Sequence, residues 1–177
     1  KDGVQQGLWI EWFNDGQKKR ERFFTNGERD SVWTTWYMNG NKKLLATYSK
    51  GKLNGKYTSW YSGGIIKEKH GEYLNNKKHN KWTYWSDKGQ KIEEANYNDG
   101  IHDGAHIQWF DDKSDQHKKF HVNYKDGKKD GSWHFWYSTG IDSIQSNYKN
   151  DVKDGHWIWW RSNGLKDKEG YFKNEKK

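Results

Sequence analysis

GSWHFWYSTG (residues 131–140) is followed one turn later by GHWIWWRSNG (155–164). Both phrases hold two Trp residues three apart, close on a glycine, and are separated by 24 residues. The second Trp recurs along the whole chain at Trp12, Trp36, Trp60, Trp85, Trp109, Trp136 and Trp160, in steps of 24, 24, 25, 24, 27 and 24 residues. Three positions earlier stands another column: Trp9, Trp33, Tyr57, Trp82, His106, Trp133 and Trp157. A turn glycine follows at Gly16, Gly40, Gly64, Gly89, Gly140 and Gly164, then a third aromatic column at Phe24, Tyr48, Tyr73, Tyr97, Tyr124, Tyr148 and Phe172. A fixed short period predicts one repeat-array domain over residues 1–177, with units starting near 7, 31, 55, 80, 104, 131 and 155. In such an array each unit buries its apolar face only against its neighbours.

Each unit reads as a β-hairpin. A six-residue aromatic and β-branched run (LWIEWF, VWTTWY, KYTSWY) leads into x-N-G or a relative, then about seven residues ending at the Tyr column. A polar turn such as SKGKLNG, NDGIHDG or KDGKKDG follows, rich in residues that accept positive φ. Helix fails because Gly interrupts every dozen residues and no 3.6-residue stripe persists. The predicted fold is all-β: an elongated single-layer antiparallel sheet of about seven consecutive hairpins, forming a twisted or curled ribbon roughly 65 Å long at about 4.8 Å per strand.

Composition agrees. Only 31% of the 177 residues are hydrophobic, yet 13 are Trp, and rings lying across neighbouring backbones suit strands. Disordered chains are poor in aromatics. The absence of Cys removes disulfides, thiolate metal sites and cysteine nucleophiles, and the apolar runs are too short to span a membrane. A net charge of +8 favours acidic partners, but its Lys residues are scattered rather than clustered. No signal peptide is present, and an envelope or secreted location is expected over the cytoplasm. Both ends fall at the same phase of the repeat without a strong cap, which predicts a fragment of a longer protein, a processed chain, or ends that pair with a partner.

Side chains alternate along a strand, so residues three apart point to opposite faces unless a bulge intervenes. A three-residue loop closing on a left-handed glycine puts the Trp12 column on the face of the Tyr column. The expected structural core is then Trp12, Trp36, Trp60, Trp85, Trp109, Trp136 and Trp160, with Tyr48, Tyr73, Tyr97, Tyr124 and Tyr148. Small residues two positions before that column (Ala46, Gly71, Ala95, Val122, Ser146, Gly170) would let a Trp ring lie flat on the next strand. The other face carries the candidate binding row of Trp9, Trp33, Tyr57, Trp82, Trp133, Trp157 and Trp159, unless curling of the sheet half buries it too. A two- or four-residue loop would reverse the assignment, and repeat three, one residue longer, has room for a bulge.

The units GxWxxWYxxG, then an aromatic followed by x-[ND]-G-x-x-x-G, resemble the bacterial variant of the membrane occupation and recognition nexus (MORN) repeat. GEY (71–73) and KYTSWYSGG (56–64) are similar to that family's small-x-aromatic and hairpin segments, and seven copies cover essentially the whole chain. The resemblance implies an elongated sheet of hairpins and a role in scaffolding, protein binding or self-association, sometimes near membranes. Bacterial variants are often labelled antitoxin components, which implies binding and neutralising a partner. This chain departs from the pattern in its many Trp and in repeat five. There His106 replaces an aromatic, and the loop FDDKSDQHKKF (110–120) is three residues longer and lacks its glycine. An irregular loop in a regular array is a candidate recognition point.

Other chemistry is sparse. His102 with His106, and His117 with His121, have the i,i+4 spacing that binds metal on a helix, which has no such meaning in a strand. His117, His121, Asp111, Asp112 and Asp115 form a ligand-rich cluster, yet the expectation is no metal and no cofactor. No nucleophile elbow, phosphate loop or recurring carboxylate pair appears, so no enzyme is expected. The expected function is a non-catalytic scaffold that binds a protein partner or self-associates through an aromatic face and open sheet edges. The alternative is a carbohydrate or cell-envelope module using exposed Trp rows. Anionic lipid or single-stranded nucleic acid ranks last for want of dense basic clusters.

Overall fold

The computed structural model describes residues 3–111 and 117–173. The protein is all-β: among the described residues every regular element is a strand, and no helix is long and apolar enough to cross a membrane. The chain divides into two compact units, Lys1–Gly89 and Gln90–Lys177. The first carries β1 (Gly7–Trp12), β2 (Lys18–Thr25), β3 (Glu28–Trp36), β4 (Lys42–Ser49), β5 (Lys52–Trp60), β6 (Lys67–Leu74) and β7 (Lys77–Trp85). The second carries β8 (Lys91–Asn98), β9 (Ile101–Trp109), β10 (Lys118–Lys125), β11 (Lys128–Trp136), β12 (Asp142–Lys149), β13 (Val152–Lys153), β14 (Gly155–Trp160) and β15 (Lys166–Phe172). Within each unit successive strands pair antiparallel in an open sheet. In the second unit β13 and β14 both pair with β12, as one strand interrupted at Asp154.

Turn chemistry sets this meander. Repeats are joined by two-residue turns at 26–27, 50–51, 75–76, 99–100, 126–127 and 150–151, with both central φ between 48° and 89°. That pair of positive values is the type I′ turn, whose twist matches the strands it joins. Within a repeat the loop is the longer kind. The Phe13 N–H donates to the Gln17 carbonyl at 2.8 Å, and the N–H of Gly16 (φ 84°) donates back to Phe13 O at 3.0 Å. Gly40, Gly140 and Gly164 close their loops in the same way. Repeat three takes its extra residue into this loop, where Tyr61 N–H reaches Ile66 O.

Two irregularities recur in the ladders. The first is a one-residue slip beside the second Trp, between Glu11 and Trp12, Thr35 and Trp36, Ser59 and Trp60, Phe135 and Trp136, and Trp159 and Trp160. A slip of one residue exchanges the two faces. The second lies where each repeat docks on the preceding one: Phe23 faces Asp30, while Glu21 faces Thr34. It adds two residues to the later strand and leaves the faces unchanged. Its positive-φ residues are Gly7, Ser31, Gly55, Asn80, Gly104, Gly131 and Gly155, the seven unit starts read from the period.

The expected face assignment is therefore corrected. The three-residue loop is present, but the bulge after it moves the Trp9 column onto the face of the Tyr column. Trp82, Trp133 and Trp157 are 1%, 8% and 5% exposed and form the core with Phe24, Ala46, Ala95 and Val122. Trp12, assigned to the core, is 55% exposed, and Trp36, Trp60, Trp85, Trp109, Trp136 and Trp160 are half-buried on the opposite face.

The core is a row running across the strands. In the first unit Trp33 stands opposite Ala46, Ala46 opposite Tyr57, and Tyr57 opposite Gly71. In the second, Ala95, His106, Val122, Trp133 and Ser146 follow one another in register. Large rings from the first strand of each hairpin thus alternate with small residues from the second. At Gly71 an added Cβ would overlap the indole of Trp82. The Tyr column keeps its expected structural place, with Tyr48 4.8 Å from Trp33, Tyr73 4.8 Å from Trp82, and Tyr148 5.1 Å from Trp157.

At the docking slip each indole N–H donates to a main-chain carbonyl of the preceding strand. Trp33 reaches Phe23 O at 3.1 Å, Trp82 Glu72 O at 2.9 Å, Trp133 Asn123 O at 2.9 Å and Trp157 Asn147 O at 3.1 Å. A buried Trp needs such an acceptor. This explains why Trp, rather than Phe, fills most of the column.

Candidate functional site

Trp82, Trp133 and Trp157 of the proposed binding row are core. Trp33 and Tyr57 are half-buried within the same row, and Trp9, on β1, is 44% exposed. Trp159 is half-buried, 5.4 Å from Trp157 and with the Lys168 ammonium 4.9 Å above its ring. Burial of the Tyr57 phenol, reinforced by Tyr73 and Glu68, pushes its pKa up to about 12. Cations also close this face from above: Arg29 lies 4.8 Å over Trp33, Lys129 4.8 Å over Trp133 and Lys153 4.8 Å over Trp157.

The accessible aromatic row is the Trp12 column. In the first unit Lys18 lies 5.8 Å over Trp36 and Lys67 5.8 Å over Trp85. In the second, Lys91 lies 5.5 Å over Trp109 and Lys118 5.9 Å over Trp136. The pattern follows from register: Lys18 pairs with Trp12 and Lys67 with Trp60, so each ammonium reaches the ring one repeat further on. Sequence reading missed these lysines because scattered Lys looks like solubility. Their constant offset from the Trp column is the signal that would have found them.

The backbone beneath this row is tied between repeats. Tyr37 donates its hydroxyl to Trp60 O at 2.7 Å, Tyr61 to Trp85 O at 2.8 Å and Tyr137 to Trp160 O at 2.8 Å. Each bond ties one repeat to the main chain at the Trp of the next. Two strands separate successive rings within a unit, which is roughly 9.6 Å at the usual strand spacing.

Hydrogen-bonding groups share this face. In the first unit Thr58 Oγ1 meets His70 Nδ1 at 2.8 Å, and burial with the Lys67 charge lowers the His70 pKa. In the second, a shallow groove of about 270 Å³ opens over His121, His134, Gln145 and His156. His134 stacks 3.8 Å from Trp136 and meets Asp142 at 2.7 Å, while burial and Lys118 lower the His121 pKa. An aromatic surface beside imidazoles, an amide and carboxylates is suited to a ligand with apolar faces and hydroxyl edges.

The histidine pairs are dispersed into packing. His102 and His106 stack at 4.7 Å between Tyr97 and Tyr124, and His106 meets Glu93 at 3.1 Å. His117 packs against Gly140, with its Nδ1 3.2 Å from Ser138 O. Asp111 is exposed, and Asp112 and Asp115 lie outside the described residues, as do residues 112–116 of the irregular loop as a whole. Among the described residues no three His, Asp or Glu side chains are grouped to hold a metal ion.

A hollow of about 500 Å³ opens at β15, lined by Lys153, Trp159, Lys168, Gly170 and Phe172. It offers apolar ring edges under two ammonium groups. No protein-family model matches the chain, and no curated protein matches it.

Proposed function

We propose that this chain is a non-catalytic repeat scaffold that binds a protein partner, the role implied by its resemblance to MORN repeats. The observation that carries this reading is the Trp12-type row, within each unit a set of half-buried indoles with an ammonium over several of the rings. Accessible Trp and Tyr rings are the residues that most often dominate interface energy, and the lysines beside them suit the more polar rim. Open sheet edges add a second mode, strand addition.

A carbohydrate or envelope polysaccharide is the second reading. It is favoured by the regular ring spacing within each unit and by the polar groove beside Trp136. Sugar stacking responds little to salt, whereas charge-led binding of nucleic acid or anionic lipid weakens steeply.

The test is a pull-down from the protein's own cell extract and envelope fraction, comparing wild type with Trp60→Ala plus Trp85→Ala, both checked by circular dichroism. A protein retained by wild type and lost by the folded double variant supports the scaffold. Retention unchanged by the double variant removes this row from the interface. Salt-insensitive recovery of polysaccharide, lost in the variant, selects the second reading.

A further inference from the structure

The charge excess of this chain sits entirely in its first unit. Residues 1–89 hold 17 Lys and Arg against 9 Asp and Glu, whereas residues 90–177 hold 15 of each. Part of that excess is built into the Trp12-type face. Lys18 stands opposite Trp12, Lys42 opposite Trp36 and Lys67 opposite Trp60. All three lysines are exposed, so indole and ammonium alternate strand by strand as far as Trp85, whose ring lies 5.8 Å from the Lys67 ammonium. Glu21 neutralises Lys18 from three residues on, but the same positions after Lys42 and Lys67 hold Leu45 and His70. Among the described residues neither Lys42 nor Lys67 forms an ion pair. In the second unit the row is broken, because Asp142 stands opposite Trp136 in the place of Lys42 and meets His134 at 2.7 Å.

The first unit's row also carries unused donors. The core indoles Trp33 and Trp82 give their N–H groups to main-chain carbonyls, whereas those of Trp36, Trp60 and Trp85 have no acceptor among the described residues. A ligand suited to this row brings acceptors, negative charge and a repeat of two strands, roughly 9.6 Å. A polyproline II segment turns once in three residues, about 9.3 Å, and its carbonyls make no internal hydrogen bonds. Segments of that kind are recognised by aromatic-lined surfaces.

We propose that the row from Trp36 to Trp85 docks an acidic, proline-rich segment of a partner protein in the polyproline II conformation. Each turn of the segment lays prolyl rings between successive indoles and offers a carbonyl to an indole N–H. Its acidic residues meet the ammonium groups of Lys42 and Lys67. Proline fixes φ before binding, so the segment loses little conformational freedom on the row. The segment crosses the strands over one face of the sheet, a different mode from strand addition along an edge. The proposal names the partner's chemistry for the scaffold reading and rests on it.

Fluorescence anisotropy with labelled synthetic peptides tests it on the whole chain. The probe repeats Glu-Pro-Pro over a length that spans Trp36 to Trp85, and two controls of equal length repeat Glu-Gly-Gly and Lys-Pro-Pro. The probe should bind about tenfold or more tightly than either control, and Lys42→Gln plus Lys67→Gln should weaken it about tenfold. Glu-Gly-Gly binding as tightly as the probe reduces the row to a charge contact and overturns the proposal. A double variant that binds like wild type overturns it too. The peptide controls need no variant and decide alone should the double variant lose its fold by circular dichroism. An unbound probe overturns the proposal: binding of polygalacturonate in its place selects the carbohydrate reading, while a pull-down that still recovers a protein through Trp60 and Trp85 leaves the scaffold standing.

Discussion

Gly71 and Gly170 share a step of the repeat, yet one is roofed by an indole and the other faces open space. The difference shows where this protein keeps its core. At Gly71 the repeat does not close its own core: the second strand contributes a small residue, and the ring that covers it, Trp82, belongs to the next repeat. Burial in arrays of this kind is a property of junctions rather than units. Over Gly170 no described side chain supplies that ring.

Breaking the roof should have the largest effect. Trp82→Ala removes a fully buried indole and leaves the Glu72 carbonyl without its N–H, and should cost about 3–5 kcal/mol. Trp12→Ala, at a mostly exposed position, should cost under about 1 kcal/mol. Urea unfolding of the two variants compares them directly, and equal losses would reverse the assignment of faces.

Crowding the floor comes next. Gly71→Ala should destabilise by roughly 1–3 kcal/mol, since Trp82 occupies the space the methyl group needs. Gly170→Ala should leave the urea midpoint within about 0.5 kcal/mol of wild type. A Gly170 variant as damaged as the Gly71 one would mean that the two glycines are equally crowded.

The smallest effect is in alkali. Tyr57 titrates near 12 in the fold and near 10.0 when unfolded, because burial favours the neutral phenol. The folded state holds its proton more tightly, so the full stability present below pH 10.0 declines as pH rises towards 12. Tyr57→Phe should flatten that decline in urea midpoints measured on either side of pH 10.0. An unchanged slope would place Tyr57 outside the dry row.

Much of this was legible beforehand because it depends on local chemistry. Asn26-Gly27 and Asp126-Gly127 dictate two-residue turns, and Gly16 dictates the longer loop, whatever surrounds them. The unit starts from Gly7 to Gly155 could be read because a period in sequence is a period in backbone conformation. Gly71, under the ring of Trp82, and Ala46, opposite Trp33, were rightly read as floors for indoles. The indoles were assigned to the wrong column.

That error has a single physical source. The face on which Trp9 or Trp12 lies depends on parity, and parity is inverted by one bulged residue, such as Lys19 between the partners of Trp12 and Glu11. Nothing in the residue types near Lys19 announces the bulge. Its consequence is that Trp33 and its equivalents lie on the face where they reach a carbonyl of the preceding strand, a contact that exists only between repeats. The sequence alone therefore determined strands, turns, period and the existence of an aromatic core. Which Trp column became that core, and which was left with its lysines on the surface, was decided by tertiary packing, because a period-two pattern cannot name its own inside until a neighbour covers it.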